Sequence, residues 1–232
     1  MERRPNVVLS VGGFLKRFLL VCCSLVLAGF DARTAQLAFM ALSAANWPPG
    51  ASFPDGWQIK VNHGRPDVSQ SRDSDGPVLH LRSSRSSFGL ERGVDIDPAA
   101  LPWLTWRWRV AELPQGGDFR NIRTDDQAAQ VLVAFADHHV LSYIWDTSAP
   151  RGTMQSASAI PLVHIFAVVC RSGTAELNQW VSESRNLAED FQHAYGRPAP
   201  HIKGLRLQIN SQHTATSAES YFGQVVFRST AQ

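Results

Sequence analysis

The chain has 232 residues, 44% hydrophobic and 18% charged, with 22 Lys and Arg against 20 Asp and Glu and a net charge of +2. Five of the basic residues (Arg3, Arg4, Lys16, Arg17, Arg33) and two of the acids (Glu2, Asp31) fall within residues 1–44, so the remainder holds 17 basic against 18 acidic residues, net −1, which leaves no basic patch for nucleic acid. Cys170 is the only cysteine beyond that segment, which excludes an intramolecular disulfide there and leaves the core to hold the domain.

At the N-terminus, Arg3, Arg4, Lys16 and Arg17 precede an uncharged run of 13 residues from Phe18 to Phe30 and then a stretch of small residues, the layout of a secretory signal peptide. The run is shorter than the roughly 20 residues of a spanning helix. Ala41-Leu42-Ser43 is the best cleavage signal, with the cut before Ala44. The alternative is an uncleaved N-terminal anchor, which would be the chain's only attachment to a membrane. Val21 and Cys22 stand where lipidation of Cys22 or Cys23 requires a small residue, so no lipid anchor is expected. The chain is therefore read as an exported protein, periplasmic or extracellular, with residues 1–44 as signal or anchor and residues 45–232 as one domain.

Within that domain, residues 45–53 form an extended lead-in. Nine or ten short β-segments follow, separated by turn residues. Trp57 to Val61 comes first, then a solvated loop from Gly64 to Gly76, then Val78 to Ser83 and Phe88 to Val94. Trp103 to Val110 is the most telling. Its period of two places Leu104, Trp106, Trp108 and Val110 on one face and Thr105, Arg107 and Arg109 on the other. Gln127 to Ala136 is apolar on both faces and reads as a central strand covered on both sides. Val140 to Asp146, Val163 to Cys170, Trp180 to Arg185, His201 to Asn210 and Tyr221 to Arg228 complete the set. One helix interrupts them. Asn186 is its N-cap with Glu189 as a capping-box partner, Leu187, Phe191 and Ala194 form its apolar stripe, and Gly196 and Pro198 stop it. The fold class is all-β, a jelly-roll-like β-sandwich with one short helix.

The segments PWLTWRWRV, TDDQAAQVLVAF, LSYIWD, WVSESRNLAEDFQHAYG and SYFGQVVF, in this order between Gly56 and Arg228, resemble an uncharacterised family, domain of unknown function 3047. The resemblance implies an exported bacterial protein with a galactose-binding or carbohydrate-module-like sandwich and no assigned reaction. The chain departs from the family pattern in two places. Where such proteins show Asp-Thr-Asp-Asn-Thr before the final strand, it has Asn210-Ser211-Gln212-His213-Thr214, which removes two carboxylates and puts a cation or polar-ligand role of that loop in doubt. The Asp125-Asp126 pair matches, but the arginine usually found four residues on is Gln130.

Several residues carry alternatives. Trp106 and Trp108 suit either a sandwich core or a flat platform for a sugar ring, and Trp145 and Trp180 pose the same choice. Arg107 and Arg109, on the outward face, are either solvated and paired or contacts for an anionic ligand. Asp125 and Asp126 could act as acid and base or bind calcium, yet adjacent strand residues point to opposite faces. One of them is expected to accept turn amides or pair with an arginine. Glu183 and Arg185 share a face of their strand and could join that network. His138 and His139 sit at a hairpin tip, poor geometry for chelation, and His164 and His201 stand apart. GxSxG, HExxH, GxGxxG, P-loop and CxxC signatures are all missing from the sequence. Cys170 reads as a small buried hydrophobe.

These residues point to an exported, non-catalytic domain that binds a saccharide or another polar envelope component. Arg107, Arg109, Asp125, Asp126 and Arg185 are its candidate ligand contacts, and no cofactor, metal or nucleic-acid partner is expected. The alternative is a carbohydrate-active hydrolase or lyase using Asp125 or Asp126 with Glu183, whose carboxyl groups would have to converge within about 5 to 10 Å. A structural envelope protein recognised through a sheet edge would leave no trace in the sequence.

Overall fold

A computed structural model of the chain describes residues 37–157 and 162–231. The expected signal segment lies outside the described residues as far as Gln36. The strands are β1 (Ala38–Leu42), β2 (Gln58–His63), β3 (Asp67–Asp73), β4 (Gly76–Ser84), β5 (Ser87–Ile96), β6 (Trp103–Glu112), β7 (Ala129–Phe135), β8 (His139–Asp146), β9 (Met154–Ser156), β10 (His164–Ser172) and β11 (Val181–Asn186). The helix α1 (Leu187–Tyr195) follows, and then β12 (Ile202–Asn210) and β13 (Ser217–Arg228).

They form two sheets that pack face to face as a jelly-roll-like sandwich. One runs β11-β6-β13-β4-β3, with β1 on the same edge of β13 as β4, and the other runs β2-β5-β12-β7-β8-β10-β9. The pairs are antiparallel except β8 with β10, which run parallel with His139 beside His164. Alternation explains which face each strand buries. Leu104, Trp106, Trp108 and Val110 of β6 meet Val131 and Val133 of β7, Leu141, Tyr143 and Trp145 of β8, and Leu205, Leu207 and Ile209 of β12 in a single core. Trp106 is 2% exposed and Trp108 fully buried. Their rings stand edge to face at 5.4 Å, and Trp106 also packs on Tyr143 at 5.2 Å and Trp108 on Trp145 at 5.9 Å, so both tryptophans are core and neither is a sugar platform.

The helix forms where the capping residues place it. The Asn186 side chain accepts from the N–H groups of Ala188 and Glu189 and donates to the Glu189 carboxylate at 2.7 Å, and Gly196 ends the helix at φ 71°, a left-handed turn that glycine adopts without strain. Leu187 and Phe191 drop into the core. Around them a polar clasp closes one edge of the sandwich. Tyr143 on β8 donates to Asp190 at 2.7 Å, Arg185 on β11 holds both oxygens of that carboxylate, and Arg171 on β10 donates to Glu183 on β11 at 2.6 Å.

Three expectations are corrected. The stretch from Gly64 to Gly76 is not a loop throughout, because it contains β3, an edge strand whose polar residues give no apolar period. Ala41 and Leu42, expected within the signal segment of residues 1–44, are buried in the core, and the Ala41 carbonyl accepts from Trp57 Nε1 at 3.1 Å and Arg92 Nη1 at 2.6 Å. β7 is covered by the other sheet on one side only, and its second face, with Gln130 and Leu132, lines an open cleft.

Candidate functional site

The cleft occupies about 480 Å³ on the outer face of the seven-stranded sheet. Its floor is built by the alternation that fills the core. While Leu205, Leu207 and Ile209 of β12 point inward, Arg206, Gln208 and Asn210 point into the cleft. Beside them lie Gln130 and Leu132 of β7, Ser142 and Ile144 of β8, Ser87 of β5 and Asn62 of β2.

The polar side chains form a continuous ladder across the strands. Arg206 Nη2 donates to Asn62 Oδ1 at 3.0 Å, and Asn62 Nδ2 donates to Ser87 Oγ at 3.0 Å and to Gln208 Oε1 at 3.3 Å. Gln208 Nε2 donates to Gln130 Oε1 at 3.3 Å, and Gln130 Nε2 to Asn210 Oδ1 at 2.6 Å. Asn210 then donates to the Asp125 carbonyl at 2.8 Å. A primary amide has two N–H groups and two lone pairs. Members that spend one or two of these on a neighbour keep the rest for a ligand.

The second wall is apolar and hangs from Asp146. This fully buried carboxylate ends β8 and accepts from the backbone N–H groups of Phe119 at 3.0 Å, Ser148 at 2.8 Å and Ala149 at 2.7 Å. Burial pushes its carboxyl above the usual range, and the three N–H groups work against that shift. It thereby fixes Phe119, which packs with Ile144, Ala149, Ala167 and Val169 in a small cluster on the cleft side of the sheet. Ile122, 66% exposed, extends the wall.

The adjacent aspartates lie in the segment that leads into β7 and turn to different surroundings. Asp125 lines the cleft and accepts from Gln127 Nε2 at 2.8 Å. Burial raises its carboxyl above the usual value, opposed by the Gln127 amide and the His213 ring. Asp126 is fully buried and accepts from the backbone N–H of Thr214 at 2.6 Å and its hydroxyl at 2.8 Å, which pins the turn before β13. Its other oxygen has no hydrogen-bond partner among the described residues and lies 3.6 Å from His213 Nδ1.

The remaining candidates sit elsewhere. Arg107 and Arg109 lie on the outer face of the other sheet. Arg107 pairs with Asp73 at 2.6 Å and Asp75 at 2.7 Å and stacks over Trp180 at 4.5 Å, while Arg109 lies 4.0 Å over Tyr221. Arg185 and Glu183 belong to the edge clasp. The structure therefore does not bring Glu183 together with either aspartate, and Asp125 is the one carboxylate lining the cleft among the described residues. Glycoside hydrolysis by the common mechanisms needs two. No group of three or more His, Cys, Asp or Glu side chains suited to a metal occurs among the described residues. The sequence reading missed Asn62, Gln127, Arg206, Gln208 and Ser142. Their one signal was a run of alternate polar residues, which is also how a plain solvent face reads.

The family model described as "Protein of unknown function (DUF3047)" matches residues 55–226. No curated protein matches the chain. Among solved structures, the xyloglucanase domain of NopAA from Sinorhizobium fredii is similar over 75% of this chain and 94% of its own, at 9% identity and TM-score 0.46. Endoglucanase Cel12A from Rhodothermus marinus is similar over 84% and 100%, at 10% identity and TM-score 0.46. The family 11 carbohydrate-binding module of Lic26A-Cel5E from Clostridium thermocellum is similar over 74% and 86%, at 7% identity and TM-score 0.40.

Proposed function

The chain belongs to the DUF3047 family of proteins of unknown function, and we propose that it is an exported, non-catalytic module that binds a saccharide in the cleft of its seven-stranded sheet. The observation that carries this reading is the ladder from Asn62 through Gln208 and Gln130 to Asn210. A sugar offers hydroxyls that both donate and accept along one edge and C–H groups on its ring faces. The ladder supplies both kinds of hydrogen-bonding group, and the wall of Phe119, Ile122 and Ile144 supplies apolar surface, the mix expected of a small-ligand site. Export is supported by the N-terminal segment of the sequence.

A glycan array of cell-envelope polysaccharides followed by calorimetry tests the reading. Saturable binding that Gln208→Ala weakens supports it. No binding to any glycan removes it.

A further inference from the structure

Arg206 is the one arginine lining the cleft among the described residues, and it has no carboxylate partner among them. Its Nη2 donates to Asn62 Oδ1 at 3.0 Å and to the Lys60 carbonyl at 3.4 Å, and its Nε is buried with no acceptor. Glu91 stands directly opposite it in the register of β5 and β12, yet accepts instead from Gln58 Nε2 at 3.2 Å. The side chain lies over Gly89, where a Cβ would stand 2.5 Å from the Leu207 carbonyl oxygen and 3.1 Å from Arg206 Nε, so the close backbone approach keeps that position glycine and leaves the arginine lying against the sheet.

A guanidinium in such a setting is poorly compensated, since burial costs a charge more than neutral acceptors return. Burial lowers its pKa, with the Glu91 charge opposing the shift. Its planar fork matches a carboxylate through two parallel hydrogen bonds. Asp125, the cleft's acid, adjoins Asn210, four residues along β12 from Arg206, which is about 13 Å at roughly 3.3 Å per residue. A ligand carboxylate at the Arg206 end is thus well separated from that acid.

We infer, on the footing of the saccharide reading, that the cleft selects acidic oligosaccharides and that Arg206 receives the carboxylate of a uronate residue. Calorimetry with tri-mannuronate and tri-galacturonate, each beside its carboxyl-reduced trisaccharide, tests this. The uronate of at least one pair is expected to bind roughly tenfold or more tightly than its reduced form, the scale of a charge-assisted pair. In Arg206→Gln that preference disappears, uronate and reduced sugar binding with equal affinity, and a far-ultraviolet circular dichroism spectrum matching the parent's shows that the variant is folded. Arg206→Lys, with the charge but without the fork, falls between.

Equal binding of both members, binding confined to neutral glycans, or a preference that survives Arg206→Gln overturns the inference and leaves saccharide binding standing. Failure of all four trisaccharides and of every glycan on the array overturns both.

Discussion

Gln130 donates its side-chain amide to Asn210 at 2.6 Å, and these are two of the positions at which the chain departs from the family pattern it resembles. This chain has two neutral amides where the pattern it resembles has arginine and aspartate. Asn210 Oδ1 also accepts from the backbone N–H of Gln127 at 2.9 Å, and its Nδ2 holds the Asp125 carbonyl.

Restoring one charge alone should therefore hurt. Asn210→Asp loses the donor to Asp125 and buries a carboxylate, and Gln130→Arg buries a guanidinium beside a neutral amide. Each is expected to cost about 2 to 4 kcal/mol in chemical denaturation. The double variant should recover about 1 kcal/mol or more relative to their sum, and plain additivity would show that the two positions are not coupled.

Asp125 sets a pH dependence of definite sign. Burial raises its pKa in the folded chain, so between the unfolded and folded values the folded state binds more protons, and stability falls as pH rises through that window. At pH 7 the cost of the buried charge is fully present. Asp125→Asn keeps an oxygen for Gln127 and removes the charge, so its melting temperature should exceed that of the parent at pH 7. The gap should narrow as pH falls to the ordinary carboxylate range. A gap of constant size in melts between pH 4 and 7 would speak against this assignment.

The first strand gives a third expectation. A chain starting at Ala44 lacks β1 and with it the buried Leu42 and the Ala41 carbonyl that serves Trp57 and Arg92. Relative to a chain starting at Ala35, it should lose about 3 to 5 kcal/mol, from one buried leucine and two hydrogen bonds. Equal denaturation midpoints for the two would show β1 to be dispensable. On the export reading proposed above, N-terminal sequencing of the mature protein should accordingly find a start at or before Leu37.

Much of the fold is legible in the sequence because burial on one face writes a period of two. Leu104, Trp106, Trp108 and Val110 announce β6, and Leu205, Leu207 and Ile209 announce β12. The Asn186 cap is equally plain, since capping is local. What lies on an edge is not, because Asp67–Asp73 has no fully buried residue and no apolar rhythm. Pairings between distant segments escape for another reason. Nothing local says that Glu183 will meet Arg171, or that β10 will run parallel to β8. The cleft was the hardest to see. Arg206, Gln208 and Asn210 alternate as any wetted face would, and only the sheet's assembly sets them beside Gln130 and Asn62.

The strands β5, β7, β8 and β12 that floor the cleft also wall the core, whereas β2, which carries Asn62, is exposed along its length. Ser142 and Ile144 face the cleft on either side of Tyr143, which packs on Trp106 and is tied to Asp190, and Gln208 stands between Leu207 and Ile209. From Gln208 through Gln130 to Asn210 the amide ladder is thus mounted on backbone that close packing already immobilises. A ligand meeting it finds its hydrogen-bonding groups in position beforehand. Little entropy remains to be lost by the protein on association, and selectivity among sugars would follow from the fixed spacing of those groups and not from any closing motion.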